Sequence, residues 1–489
     1  MIKSGKALLF LSLALVVSCG GGGGGNTGNT TPPTLVSITL TPLNPSVITG
    51  SSRQFTATGT YSDNSVQNLT ASATWSSTTA AVATISNDAG TQGLVSAITS
   101  GTTTITATSG LVTGSTIMTV TVPVFNNVLP LSVNGSLCSA SSSYPNKPCV
   151  SVTVCAPGTS TCQTISDILL DTGSYGLRIF KQALTVLPPP AAGALAECAQ
   201  FGDGSSVWGA VQTASVILGN EPAIQVPIQV IDVSFGATTL PAVCRNAYQN
   251  PAAAGFAGIL GVGLFTRDCG QTCTNSPNNG KYFTCNGTNC SGTTVPLAAQ
   301  IQNPVALLPQ DNNGVIVQLP GVPAGGTPSL SGSLILGIGT QANNTPLSFV
   351  TAYSANQSAQ FSTRFSGQNY ASFLDTGSNG LFFTPPALIS ILTCPGSSGS
   401  VSWFCPASPL DFTATNTAAS GSPAGVVTFR IDNVTNLTSN TANHVFAEIG
   451  GTYPVSFDWG LPFFFGKSVY VGFEGKTSAT LGTGPYWAY

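Results

Sequence analysis

Apolar and polar residues alternate over short stretches between residues 35 and 122, with Val36, Ile38 and Leu40 near the start and Ile117, Val120 and Val122 near the end. A period of two places one face of each stretch inside and predicts strands. Gly, Ser and Asn turns separate the stretches at regular intervals, and the segment holds no cysteine and hardly any charge. The pattern predicts a β-sandwich of about ninety residues, with Trp75 in its core. From about residue 127 to residue 489 the strand-like patterning continues, but cysteines, longer loops and more aromatics enter. Helical periodicity is scarce throughout, so the fold class is all-β. The second part reads as one β-rich domain in two halves, 127–325 and 326–489, joined near the Pro- and Gly-rich stretch Pro320–Pro328.

Length and composition agree with this division. A chain of 489 residues exceeds what one hydrophobic core usually serves. Charged residues make up only 6% and the net charge is -3, which gives no support for nucleic-acid binding, since that needs a basic stripe. Abundant Ser, Thr, Gly, Asn and Pro suit short strands joined by tight turns in an exported protein.

The first residues form a targeting segment. Lys3 and Lys6 precede an apolar run, Ala7 to Val17, that is too short to span a bilayer. The run ends in Val16-Val17-Ser18-Cys19 and resembles a bacterial lipoprotein signal, 1–19, which implies lipidation of Cys19. Gly at position 20, in place of Asp, implies sorting to the outer membrane under that resemblance. Residues 20–34 form a flexible tether. Gly20 to Gly25 lack the Lys-Ser/Thr ending of a phosphate loop and are linker.

Setting Cys19 aside, twelve of the thirteen cysteines remain, an even number in an oxidising compartment, and six disulfides are expected. If bridges stay within halves, Cys394 pairs with Cys405. Cys269 with Cys273, and Cys285 with Cys290, are local candidates, and the other pairings stay open. A zinc cluster of these four fits no common spacing, and no metal is expected.

One short phrase occurs twice. Leu169-Leu170 leads into Asp171-Thr172-Gly173-Ser174-Tyr175-Gly176-Leu177, and Phe373-Leu374 leads into Asp375-Thr376-Gly377-Ser378-Asn379-Gly380-Leu381; six of seven positions agree. The doubling predicts two strands that deliver two carboxyls to one place. Two close carboxyls share a proton, because repulsion keeps the second from ionising. Such a pair activates water with one member and polarises a carbonyl with the other, without metal, cofactor or covalent nucleophile. Glycine permits close packing of each turn, and the Thr and Ser hydroxyls are expected around the carboxylates.

The motifs, 204 residues apart, resemble those of the pepsin-like aspartic peptidases, in which one chain supplies both aspartates. Further landmarks follow in the family's order. Phe201-Gly202-Asp203-Gly204-Ser205, with Gly209 and Val216–Gly219, resembles the flap hairpin. Gly258–Gly263 resembles the strand behind the first aspartate. Gly332–Gly339 with Pro346–Val350 resembles the strand pair opening the second lobe, and Trp459–Phe464 with Val469–Phe473 the closing strands. Two positions depart from the family: Phe201 stands where it has tyrosine, and Arg178 where it has the flap-bracing tryptophan. Trp208 is a candidate substitute brace or a packing residue. Gly460-Leu461-Pro462 also resembles a bacterial family of uncharacterised secreted proteins.

Residues 35–122 resemble the bacterial Ig-like group 2 family through Val36–Leu40, Gly50–Ala57, Ala73–Ser77, Val82–Ser86 and Gly101–Ala107. These resemblances together imply a lipid-anchored, monomeric aspartic endopeptidase on a spacer. Its substrate is a polypeptide, Asp171 and Asp375 are shared base and acid, and the flap 201–205 contacts substrate. The alternative is a pepsin fold without turnover that acts as a surface binding or inhibitory protein; an adhesin leaves the repeated motif unexplained. No basic prosegment precedes the first half, so activity is expected either from the outset or under control of pH. The single histidine, His444, is expected to be structural, and Asp203 a turn residue.

Overall fold

Residues 31–122, 127–139, 144–190, 194–236, 240–286, 289–395 and 402–489 are described by a computed structural model. The targeting segment and Cys19 lie outside these residues. The chain divides into two units, residues 1–124 and 125–489.

In the first unit, strand Leu35–Thr41 pairs antiparallel with Thr56–Tyr61, which pairs with Val66–Asn68. A second sheet runs in the order Ser46–Ile48, Val112–Thr121, Gly101–Ser109, Thr74–Ser77, and a third joins Ser52–Gln54, Leu94–Ala97 and Ala83–Ile85. Phe55, Trp75, Ile105 and Met118 fill the core between them. Trp75 keeps its indole N–H satisfied by donating to the Thr70 carbonyl at 2.9 Å, so it is core, as expected. Three positions of the apolar alternation face solvent instead: Val36, Ile117 and Val122. The inward face of strand Val112–Thr121 is Thr116, Met118 and Val120, and a period of two sends Ile117 outward.

Among the described residues the second unit holds a fifteen-stranded sheet, a seven-stranded sheet and a two-stranded ribbon, Thr477–Ser478 with Gly482–Thr483. Helices among the described residues are single turns such as Pro251–Ala254, Gln271–Asn275 and Val434–Thr438, so the all-β expectation holds. The large sheet continues through the expected join. Val128–Val133 pairs with Leu330–Leu336, which pairs with Gly314–Leu319, and that strand pairs with Lys467–Gly472. Pro346–Val350 is a turn rather than a strand: Pro346 has no N–H to give a ladder, and Val350 N closes back on Leu347 O at 3.1 Å. The next strand is Ala352–Ser354.

Each half repeats one arrangement of strands. Cys162–Asp171 lies parallel to Gly258–Val262, with Asp171 opposite Gly261; Gln368–Asp375 lies parallel to Phe457–Gly460, with Asp375 opposite Gly460. In both halves the chain after the aspartate turn returns antiparallel on the other side of the same strand, as Tyr175–Phe180 and as Leu381–Phe382. The fillings differ. Around the first turn the core is aliphatic, with Ile168, Leu170, Leu177 and Leu260. Around the second it is aromatic: Phe457 stacks on Phe383 at 4.6 Å and on Trp459 at 4.3 Å, and Phe365 meets Phe383 edge-on at 5.5 Å.

Six disulfides cross-link the second unit: Cys138–Cys149, Cys155–Cys162, Cys198–Cys244, Cys269–Cys273, Cys285–Cys290 and Cys394–Cys405. The last three are the pairings expected from sequence, and they replace the zinc reading. Their number marks a protein of an oxidising compartment. No helix among the described residues is long and apolar enough to cross a membrane.

Phe457 is fully buried at the centre of the aromatic cluster. Replacing it with alanine removes the stacked contacts and leaves a cavity, so Phe457→Ala is expected to lower stability by about 3–5 kcal/mol. Equilibrium denaturation in guanidinium chloride measures this, and a loss below about 1 kcal/mol would refute the cluster's role.

Candidate functional site

The two aspartate turns meet, and the threonines make the junction. Thr172 Oγ1 donates to the Leu374 carbonyl at 2.9 Å and accepts from Thr376 N at 2.9 Å. Thr376 Oγ1 donates to the Leu170 carbonyl at 2.7 Å and accepts from Thr172 N at 3.1 Å. Both threonines are buried. Their hydroxyls were expected around the carboxylates; instead they cross to the backbone of the opposite half. The serines do serve the carboxylates: Ser174 Oγ donates to Asp171 Oδ2 at 2.5 Å, and Ser378 Oγ lies 2.9 Å from Asp375 Oδ2.

Within each turn the glycine N–H holds the inner carboxylate oxygen, Gly173 N to Asp171 Oδ1 and Gly377 N to Asp375 Oδ1, both at 2.8 Å. The glycines are required by the other half. A Cβ on Gly173 would lie 2.7 Å from Asp375 Cγ, and one on Gly377 would lie 2.9 Å from Asp171 Oδ1. Each carboxyl therefore rests against the opposite turn. Burial, the Asp171 charge and the Asp458 charge push Asp375 well above the ordinary carboxylate range.

Several residues at this site carried no motif. Asp458 is buried, its Oδ2 lies 2.6 Å from Ser378 Oγ, and its Oδ1 has no partner among the described residues. Burial raises it to about 8 against the Ser378 bond, with the Asp171 charge adding to the rise. The internal repeat held the signal: Ile259-Leu260-Gly261 in the first half corresponds in register to Asp458-Trp459-Gly460 in the second. Tyr144 Oη donates to the Gly377 carbonyl at 2.9 Å, and Asn146 Nδ2 donates to the Asn379 carbonyl at 2.8 Å, so the first half supports the second turn. Burial and both aspartate charges raise the Tyr144 phenol, which keeps it protonated as a donor.

Residues 201–205, expected to act as a flap, form a tight hairpin between strands Leu195–Gln200 and Ser206–Ile217. Phe201 N donates to Ser205 O at 2.9 Å, and Asp203 Oδ1 accepts from Ser205 N at 2.8 Å and Ser205 Oγ at 2.6 Å. Asp203 is therefore a turn residue, as expected. Gly204 has φ of +87°, which the turn requires. Phe201 packs against the buried cluster that includes Leu169, Phe180 and Val207, while Tyr453 Oη lies 3.1 Å from the Cβ position of Gly202 and brings a phenol to the hairpin tip.

Arg178 is a buried anchor. Its guanidinium donates to the Tyr175 carbonyl at 2.7 Å and to Glu197 Oε1 at 2.6 Å, with Asp268 Oδ2 at 3.4 Å. The strand after the first aspartate turn is thus tied to strand Leu195–Gln200 through Glu197. Disulfide Cys198–Cys244 fixes the neighbouring residue of that strand. Trp208 does not brace the flap tip: it is fully buried, donates to the Phe235 carbonyl at 2.9 Å and packs against Phe283 at 5.4 Å. Among the described residues no serine or aspartate side chain hydrogen-bonds the His444 imidazole, and its backbone N donates to Thr327 O at 3.0 Å. A cavity of about 710 Å³ lined by Leu319, Phe349, Lys467 and Tyr470 contains none of the three carboxyls.

Comparison with known proteins adds the following. The structure is similar to a crystal structure of an aspartic proteinase from Irpex lacteus, with a TM-score of 0.40 and 16% identity over 74% of this chain and 96% of that chain. It is similar to domains 4 and 5 of the S-layer protein SbsC, with a TM-score of 0.16 and 25% identity over 19% of this chain and 47% of that one. In sequence, 104 residues are 43% identical to Ice-binding protein 1 of Shewanella frigidimarina (strain NCIMB 400), a match spanning 21% of this chain and 11% of that protein. Residues 35–120 match the bacterial Ig-like domain of group 2, in line with the resemblance of that segment. Residues 123–489, well over half of the chain, match the family described as "Protein of unknown function (DUF3443)", and the chain belongs to that family.

Proposed function

We propose that the second unit is an aspartic endopeptidase in which Asp171 and Asp375 share one proton. The observation that carries this reading is the reciprocal lock of the two threonines, which brings both carboxyls, from equivalent strand ends, each against the opposite turn. With the shared proton on Asp375, Asp171 takes a proton from a water held between them while Asp375 protonates the oxygen of the substrate carbonyl. Water oxygen forms the bond to carbon, giving a neutral tetrahedral diol. Asp171 then returns its proton to the amide nitrogen, the C–N bond breaks, and Asp375 recovers its proton from the diol. The serine and glycine donors at each turn hold the carboxyls in place for both transfers.

The same reading takes the substrate to be a polypeptide, admitted under the hairpin 201–205, and the enzyme to be a monomer, since one chain supplies both aspartates. Cys19 would carry the lipid that holds the protein at the outer membrane, with residues 20–34 and the Ig-like unit as tether and spacer. No part of the reaction uses a metal, a cofactor or nucleic acid.

The protein from residue 35 onward is to be incubated with a denatured protein substrate between pH 3 and 7, with and without pepstatin. Cleavage is expected on the acid side of neutrality, and Asp171→Asn or Asp375→Asn is expected to reduce kcat by roughly 10³-fold or more. Absence of cleavage by the wild type, or cleavage that survives both substitutions, refutes the peptidase reading and favours a binding protein.

The buried acids also set a pH dependence of stability. Asp375 and Asp458 are raised in the folded state, Asp458 to about 8, whereas aspartate in an unfolded chain titrates near about 3.9. The folded protein retains protons that the unfolded chain releases, so their stabilising contribution is complete below about pH 4 and fades as pH rises toward about 8. Tm measured by calorimetry is expected to be higher at pH 4.5 than at pH 8, and a Tm that rises over this range would contradict the assignment.

A further inference from the structure

Ser378 raises a question of proton count. Its hydroxyl has one proton to donate, yet Oγ lies 2.9 Å from Asp375 Oδ2 and 2.6 Å from Asp458 Oδ2. Were both carboxyls ionised, one of these contacts would set lone pair against lone pair. One carboxyl must therefore donate to the serine oxygen. Asp458 fits that role: it is buried, and among the described residues its second oxygen has no donor to stabilise a charge. Asp375 has the Gly377 N–H on its inner oxygen. The hydrogen bonds then run from the Asp458 carboxyl to Ser378 Oγ, and from the Ser378 hydroxyl to Asp375 Oδ2. The first half has no counterpart, because Ile259 occupies the position that Asp458 takes in the second.

We propose that Asp458 is a third carboxyl of the site, a positioning residue that works through Ser378 and keeps the Asp171–Asp375 pair singly protonated to higher pH than two carboxyls alone would. The inference rests on the peptidase reading. The groups facing Asp458 are Ser378 and Asp375 from the second turn, Asp171 from the first, and Tyr453 from the loop before strand Phe457–Gly460. Among the described residues no lysine, arginine or histidine is ion-paired with any of the three carboxyls. As pH rises, the cluster yields its next proton either from the pair or from Asp458. Whenever Asp458 yields it, the new negative charge beside Asp375 makes the pair hold its own proton more tightly. A neutral residue at 458 offers no such charge, so the pair becomes doubly ionised, and inactive, at lower pH.

The test compares the full chain with Asp458→Asn and with Asp458→Ile, which installs the residue of the first half. Infrared titration of protonated carboxyl C=O bands reads the protons without turnover, with Asp171→Asn and Asp375→Asn assigning the band of the pair. At pH 7 the wild type is expected to keep one protonated-carboxyl band that both Asp458 variants lack, and in both variants the band of the pair is expected to vanish roughly one pH unit lower. The alkaline limb of kcat/KM is expected to move down by the same amount, with the acid limb in place. An unchanged pH for loss of the pair's band, or equal bands at pH 7 in all three proteins, overturns the proposal. Absence of cleavage by the wild type alongside the expected band shifts removes the peptidase reading alone and leaves the three-carboxyl cluster standing.

Discussion

Two threonine hydroxyls hold the second unit's halves in register. Each donates to a carbonyl of the opposite half and accepts the backbone N–H of the opposite threonine, all four bonds in a buried setting. A polar group stranded there by loss of its partner would cost about 1–3 kcal/mol. The lock is cooperative in geometry, since no single bond can lengthen without moving the turn that carries the other three. Everything above it follows from this constraint. Neither carboxyl could approach the other turn unless residues 173 and 377 were glycine.

The two halves reach this shared junction with different means. Aliphatic side chains pack behind Asp171, whereas a cluster of stacked and edge-on rings packs behind Asp375. On the first side the strand leaving the turn is fixed by charge: Arg178 joins it to Glu197 on the flap strand and to Asp268, with Tyr282 Oη donating to Asp268 at 2.7 Å. Burial pushes Glu197 up to about 8, against the pull of Arg178 and with the push of Asp268. Such a buried network adds little net stability over apolar packing, but its geometry is exacting. It ties the base of the hairpin to the strand that leaves the first aspartate turn.

Much of this was legible in the sequence where the signal is local. The Asp-Thr-Gly-Ser pair, the strand pattern, and the short-range bridges Cys269–Cys273, Cys285–Cys290 and Cys394–Cys405 depend on neighbours in the chain. What escaped depends on the third dimension. Asp458 has meaning only beside Ser378, eighty residues earlier. Arg178 reads as a departure until Glu197 and Asp268 are seen around it. Cys198–Cys244 joins a strand to a distant turn that no spacing rule identifies. Val36 and Ile117 show the converse: apolar residues set in a strand do not reveal which face turns inward. The threonine hydroxyls pair with buried backbone groups of the opposite half, which no local motif reveals.

Carrying both turns in one chain has a consequence for symmetry. Two identical chains meeting at a twofold axis must place the same residue at equivalent positions, so an acid at one such position means an acid at both. Here the position before the Leu260-Gly261 and Trp459-Gly460 pairs is isoleucine on one side and aspartate on the other. Covalent fusion frees each turn to diverge, and an odd number of carboxyls around one junction becomes possible, an arrangement that no homodimer of single-turn chains can assemble.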